Sequence, residues 1–275
     1  MKIAFCTCVQ LGLSCIEKIY ELGGKFDLLI TLKDDLSQKK SGRVYINKIA
    51  KKNKAPLLKI KHINDIDVIE NIKKYEIDWL FIIGWSQIAS KDVLESCNKG
   101  AIGAHPTLLP KGRGRAAIPW AIIKGLDKTG VTFFKMDEGV DTGNILGQIE
   151  IPIKENETSK TLYKKVNKIH IDLIEKIWPK IITNSLIELK QVESQATYWE
   201  ERKPKDGEIK PENMSIEEVD RLVRATTKPY PGAFFIKDNK KVIIWEGQKS
   251  KDTKGMEIKC RDGIFIATDI EMLEI

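Results

Sequence analysis

The run IDWLFIIGW, residues 77–85, decides how this chain folds. From Trp79 to Ile83 every side chain is apolar, with no alternation between a wet and a dry face. A strand that meets water on one side alternates, whereas a continuous run belongs to a strand covered on both faces, as in a parallel sheet flanked by helices. Working outward, KIAFCTCV (2–9), FDLLITL (26–32) and APLLKI (55–60) predict further strands. Between them LGLSCIEKIYELGG (11–24) sets Leu13, Ile16, Ile19 and Tyr20 on one side of a helix that stops at Gly23 and Gly24. SQKKSGRVY (37–45) reads as a surface loop, with helices expected near 44–54 and in VIENIKKYE (68–76). Strands alternating with helices predict a Rossmann-like α/β domain with a mainly parallel sheet. Ligands of such sheets sit beyond the carboxyl ends of the strands. GWSQ (84–87) and the residues after 103 are therefore expected at one rim.

Further along, AIPWAIIK (117–124) predicts a helix, and TGVTFFKMD (129–137) and ILGQIEIPI (145–153) predict strands joined by the turn EGVDTGN (138–144). TSKTLYKKVNKIHIDLIEKIWPKI (158–181) predicts a long helix, capped by Thr158 or Ser159 and closed near Pro179. Past residue 190 the texture changes. ATYWEERKPKDGEIKPENMS (196–215) is polar and punctuated by proline, like a linker. SIEEVDRLVRATT (215–227) predicts a short helix in which Ser215 and Glu218 form a capping box. Two strands around KDNK (237–240), then short strands about the Asp-Gly turn in MEIKCRDGIFIATDIEML (256–273), predict a small β-rich module, a partly open barrel. The expected division is a catalytic domain over 1–190 and a linker with a C-terminal β module over 191–275.

The net charge of +7 is spread along the chain. It admits an anionic partner such as a nucleotide without pointing to nucleic acid. The N-terminal stretch, with one early lysine and Glu17, reads as strand and helix rather than as a signal peptide. No run approaches the ~18 apolar residues of a membrane span. Cys6, Cys8, Cys15, Cys97 and Cys260 lack paired metal-ligand spacing, so no metal is expected, and the thiols fit a reducing cytoplasm. No G-x-G-x-x-G follows the first strand, which disfavours a dinucleotide dehydrogenase.

The residues that could carry chemistry cluster in IGAHPTLLPKGRGR (102–115). His105 leaves a strand, and Pro106 bars a helix there. At such a rim a histidine serves as a general base or, once charged, as a hydrogen-bond donor. Asp141, in the glycine-bounded GVDTG, is expected at the same rim, where it would hold the histidine's tautomer or stabilise its cation. On spacing alone a turn-capping Asp141 and a carbonyl-bound His105 fit better than a catalytic pair. Lys111, Arg113 and Arg115 stand in a glycine-loosened loop that suits a phosphate or diphosphate, or else a solvated turn. His62 and His170, in a lysine-rich connection and between isoleucines, read as structural.

AHPTLLPKGRGRAAIPWAIIKG followed by KTGVTFFKMDEGVDTGNILGQ resembles the formyltransferase family that uses 10-formyltetrahydrofolate. The resemblance implies His105 and Asp141 as catalytic residues and an OB-like C-terminal domain. It also implies a donor site along Gly84, Trp85, Ser86, Gln87 and Ile88, with Asp137 nearby. RLVRATTKPYPGAF (221–234) and ATYWEERKPKDGEI (196–209) are similar to the members that act on nucleotide-linked amino sugars in glycan or surface polysaccharide synthesis. The implied acceptor is then a nucleotide sugar, held by Thr107, Lys111, Arg113 and Arg115, and the exposed β module offers a surface for a homodimer. One position departs. The family pattern is Asn-x-His, and this chain has Gly103 where the asparagine would help hold the formyl oxygen. Either His105, a backbone N–H, or Ser86 or Gln87 takes that role, or the enzyme is altered. Two rivals remain. A methionyl-tRNA formyltransferase would want a basic stripe, and the lysines here are interspersed with acids; a non-catalytic folate- or nucleotide-binding homologue has no chemical need for both His105 and Asp141.

Overall fold

The computed structural model describes residues 1–37, 42–249 and 254–274, so part of the expected loop over 37–45 lies outside the described residues. The first elements are β1 (Ile3–Cys6), α1 (Gln10–Glu21), β2 (Leu28–Leu32), α2 (Asp34–Ser37), α3 (Asn47–Lys52), β3 (Leu57–Ile60), α4 (Ile66–Lys74), β4 (Trp79–Ile82), α5 (Lys91–Glu95) and β5 (Gly100–His105). Next come β6 (Arg113–Gly114), α6 (Ala117–Ile123), β7 (Lys128–Lys135), β8 (Ile145–Pro152) and α7 (Ser159–Ile182). The last are β9 (Tyr198–Trp199), α8 (Ile216–Thr226), β10 (Ala233–Lys237), β11 (Lys240–Gln248), β12 (Met256–Cys260) and β13 (Gly263–Glu274). Two compact units share the chain: Met1–Gly114, Gly130–Glu150 and Val166–Tyr198 form one, and Arg115–Thr129, Ile151–Lys165 and Trp199–Ile275 the other.

The first unit is organised by a seven-stranded sheet in the order β3-β2-β1-β4-β5-β7-β8. β3 through β5 are parallel, and β7 returns antiparallel to β5 with Gly103 opposite Phe134 and His105 opposite Thr132. The uninterrupted apolar run earns its place at the centre. Trp79 to Ile82 are all buried, and Phe81 stacks on Phe5 of the neighbouring strand at 5.3 Å. The strand order reverses between β1 and β4, which is where the carboxyl ends of such a sheet open a crevice.

α7 differs from expectation: it runs through Pro179 to Ile182. A proline in the last turn removes only its own N–H, and its carbonyl still accepts from the Thr183 N–H at 3.0 Å. His170, inside this helix, is structural. One ring nitrogen lies 2.8 Å from Val166 O, the ring packs edge-on to Phe133, and burial pushes its pKa down to about 4.

The second unit pairs α6 with α8 and sets them beside a four-stranded antiparallel sheet, β10-β11-β13-β12. Ser215 and Glu218 form the expected capping box at the start of α8. Asp238 and Asn239 both take positive φ, which gives the tight hairpin turn between β10 and β11. Val219, Val223, Ile244 and Phe265 fill this unit's core.

Candidate active site

β5 ends on His105, which is 7% exposed. Its Nε2 lies 2.8 Å from Gly112 O, and Nδ1 lies 3.4 Å from Asp141 Oδ2. A carbonyl oxygen only accepts, so Nε2 carries a hydrogen and donates it. With Nε2 so occupied, a bare Nδ1 would face a bare carboxylate, lone pair against lone pair. The contact is satisfied when a proton sits between them, on Nδ1 or on Oδ2. His105 and Asp141 therefore stand as one pair, held side by side.

The chain builds the Asp141 side of this pair with a tight turn. Asp141 has φ +57°, a left-handed conformation that aspartate tolerates better than most residues. Gly143 is required by close approach, since a Cβ there would fall 1.7 Å from Lys135 O. Asp137 Oδ1 accepts from the Gly139 N–H at 3.1 Å and from the Thr142 hydroxyl at 2.5 Å, closing the turn. The Gly114 N–H donates to Asp141 Oδ2 at 2.9 Å. One short loop, 112–114, thus touches the histidine with a carbonyl and the aspartate with an amide.

Residues 14–177 match the sequence family described as formyl transferase, and residues 202–275 match its C-terminal domain. The chain belongs to the formyl transferase family. It is 37% identical over 240 residues to the bifunctional polymyxin resistance protein ArnA of Wigglesworthia glossinidia brevipalpis, covering 87% of this chain and 36% of that protein. The chain thus spans little more than a third of that relative. It is 31% identical to a methionyl-tRNA formyltransferase of Buchnera aphidicola, covering 81% of this chain and 72% of the relative. The fold matches that of the N-formyltransferase of Helicobacter canadensis, solved with folinic acid and dTDP-3-aminofucose. The TM-score is 0.70 at 20% identity, over 98% of this chain and all of that one.

The structure sorts the other expected residues of this family member. Arg113 is a correction: it is fully buried and is not offered to an acceptor phosphate. Its guanidinium donates to Gln191 Oε1 at 3.2 and 2.9 Å, to the Glu193 carboxylate at 2.9 and 2.8 Å, and to the Tyr198 hydroxyl at 2.7 Å. Glu193 cancels its charge. Arg115 belongs to the second unit and pairs with Glu201 at 2.5 Å. Lys111 is exposed and makes no ion pair among the described residues. Thr107 is buried, and its hydroxyl has no hydrogen-bond partner among the described residues.

In the rim segment after β4, Gln87 Oε1 accepts from the Ile63 N–H at 2.8 Å and from the Trp85 indole at 3.2 Å, and its Nε2 donates one hydrogen to Lys61 O at 3.0 Å. The amide braces the segment and keeps a second N–H to give. Trp85 is half-buried and packs against the apolar core. Ser86 is exposed, Ile88 is 62% exposed, and Gly84 begins the segment with φ +66°.

Gln191, Glu193, Thr197 and Tyr198 are site residues that the sequence reading missed. Thr197 Oγ1 accepts from the Gly112 N–H at 2.8 Å, and Thr197 O accepts from the Arg113 N–H at 2.9 Å. No local pattern marks them, because their partners lie 48 to 85 residues away. A cavity of about 920 Å³ lies in the second unit, walled by residues such as Arg224, Trp245 and Lys249. None of the residues expected to carry chemistry lines it.

Proposed function

We propose that this chain transfers a formyl group from 10-formyltetrahydrofolate to the primary amine of a sugar carried on a nucleotide. The observation that carries this reading is the His105–Asp141 pair at the carboxyl edge of β5, fixed from both sides by the 112–114 loop. The donor supplies the formyl carbon. The rim segment fits its flat ring: exposed Ile88 and half-buried Trp85 give an apolar border to an irregular stretch of main chain that Gln87 and Asn64 hold open. The Helicobacter enzyme, solved with folinic acid and dTDP-3-aminofucose, favours a sugar acceptor.

In this reading the amine nitrogen bonds to the formyl carbon and gives up a proton, and the donor's nitrogen gains one as it leaves. Both ring nitrogens of His105 are engaged and Asp141 Oδ2 is shared. Asp141 Oδ1, which accepts no hydrogen bond among the described residues, is the atom that takes the proton and passes it on. His105 holds Oδ2 in place. Lys111 meets the acceptor's phosphates. Attack needs an uncharged amine, so turnover rises with pH.

The test screens UDP- and dTDP-linked amino sugars with 10-formyltetrahydrofolate and reads tetrahydrofolate release, with His105→Ala and Asp141→Asn alongside. Release with at least one sugar, lost in both variants, is the expected result. No release with any sugar, but salt-sensitive formylation of initiator methionyl-tRNA, would replace this reading with the one that the Buchnera relatives favour.

A further inference from the structure

Gln191 touches neither partner's reacting atoms, yet it has the contacts of a latch. Its side-chain nitrogen donates to Asp141 O at 2.8 Å and to Gly143 O at 2.7 Å. Its Oε1 accepts from Arg113 Nε and Nη2. A primary amide has two hydrogens to give and room for two to accept, and here all four places are filled. The amide cannot flip, because the reverse orientation would set its N–H groups against a guanidinium and its oxygen against two carbonyls. Gln191 is 7% exposed and Arg113 has no exposure. Behind the amide the Arg113 guanidinium is held in turn by Glu193 and Tyr198.

The carbonyls that Gln191 grips flank Thr142, directly beside the left-handed Asp141. Where the main chain at 141 points decides where the carboxylate points. We propose that Gln191 is a positioning residue for the transfer: it holds the Asp141 turn so that Oδ2 faces His105 Nδ1, with Arg113 as its brace. The inference rests on the reading of His105 and Asp141 as proton handlers. It assigns a role to a segment, 191–198, whose sequence looks like the start of a linker.

Gln191→Glu separates this role from a merely structural one. It keeps the acceptors that Arg113 needs and removes the donors that hold the turn. The protein has three histidines, His62, His105 and His170, so ring-nitrogen NMR correlations of the unliganded protein are assignable. The expected result is that Gln191→Glu moves the His105 ring signals to those of Asp141→Asn while the His170 signals stay in place. kcat falls about 100-fold, the cost of a small misplacement, with KM for both substrates unchanged. In an Asp141→Asn background the same substitution adds nothing, because the latch acts through the residue already removed. Wild-type His105 signals and kcat in Gln191→Glu would overturn the proposal, as would an equal loss repeated in the Asp141→Asn background. If His170 shows that the glutamate variant has unfolded, Gln191→Met, which brings no charge but also removes Arg113's acceptor, is read by the same ring signals and by the same test in the Asp141→Asn background. Should the wild type release no tetrahydrofolate, the reading of the reaction fails while the ring signals still decide the latch.

Discussion

Gly103 offers the sharpest prediction, because the simple view of it is quantitative. If this chain merely lacked the asparagine that its resemblance to the family leads one to expect, then Gly103→Asn should restore an oxyanion donor. A donor of that kind is worth about 100- to 1000-fold in turnover. The surroundings of Gly103 say otherwise. A Cβ there would meet Phe134 Cζ at 2.9 Å, and Phe134 Cε1 and Met136 Cγ at 3.1 Å. Phe134 sits directly opposite on β7 and is 4% exposed, so its ring has little room to swing away. The carboxamide would have to enter beyond that first contact. Overfilling a packed site costs about 1–3 kcal/mol. At roughly 2–4 °C per kcal/mol for a chain of this size, that is a fall of several degrees in Tm. Gly103→Asn alone is expected to melt lower and turn over no faster. Gly103→Asn with Phe134→Leu, which opens the space, is expected to recover Tm and exceed the wild-type kcat. Thermal melts and tetrahydrofolate release at saturating substrates read both numbers. A rise of about 100-fold in kcat for Gly103→Asn alone, at unchanged Tm, would refute the reasoning.

Three further outcomes follow from burial and charge. Burial lowers the His170 pKa from 6.5 to about 4, so the folded state binds this proton less readily than the unfolded chain. The stability involved is intact above pH 6.5 and is lost as pH falls toward 4, and His170→Phe should remove that part of the slope in urea midpoints measured against pH. Arg113→Lys retains a charge but cannot reach Gln191, Glu193 and Tyr198 together. It should cost about 1–3 kcal/mol, the cost of leaving hydrogen-bonding groups around the buried guanidinium short of a partner, and chemical denaturation measures it. Lys111→Ala should raise KM for the nucleotide sugar and leave kcat in place, whereas Arg115→Ala, whose charge is already met by Glu201, should change KM less; steady-state kinetics at low and high salt separate them.

The elements were legible because their signals are local. Trp79 to Ile83 announces a central strand, and Ser215 with Glu218 announces a helix start, whatever the rest of the chain does. Arg113 was not legible for the converse reason. A basic residue between two glycines looks solvated until Gln191, Glu193 and Tyr198 arrive from 78 to 85 residues away and bury it. The same distance explains how the chain keeps its histidine and aspartate paired without an asparagine at 103. The hydrogen bonds to the His105 ring, to the Asp141 carboxylate and to the Asp141 carbonyl come from Gly112 O, the Gly114 N–H and the Gln191 amide, and none of these involves residue 103. A glycine there leaves the geometry of His105 and Asp141 untouched and lets Phe134 fill the space. It changes only what the formyl oxygen meets. Of the alternatives weighed from sequence, Gln87 spends one of its two amide hydrogens on Lys61 O and Ser86 is exposed, so both stay beside His105 and a backbone N–H as candidates for the oxyanion contact.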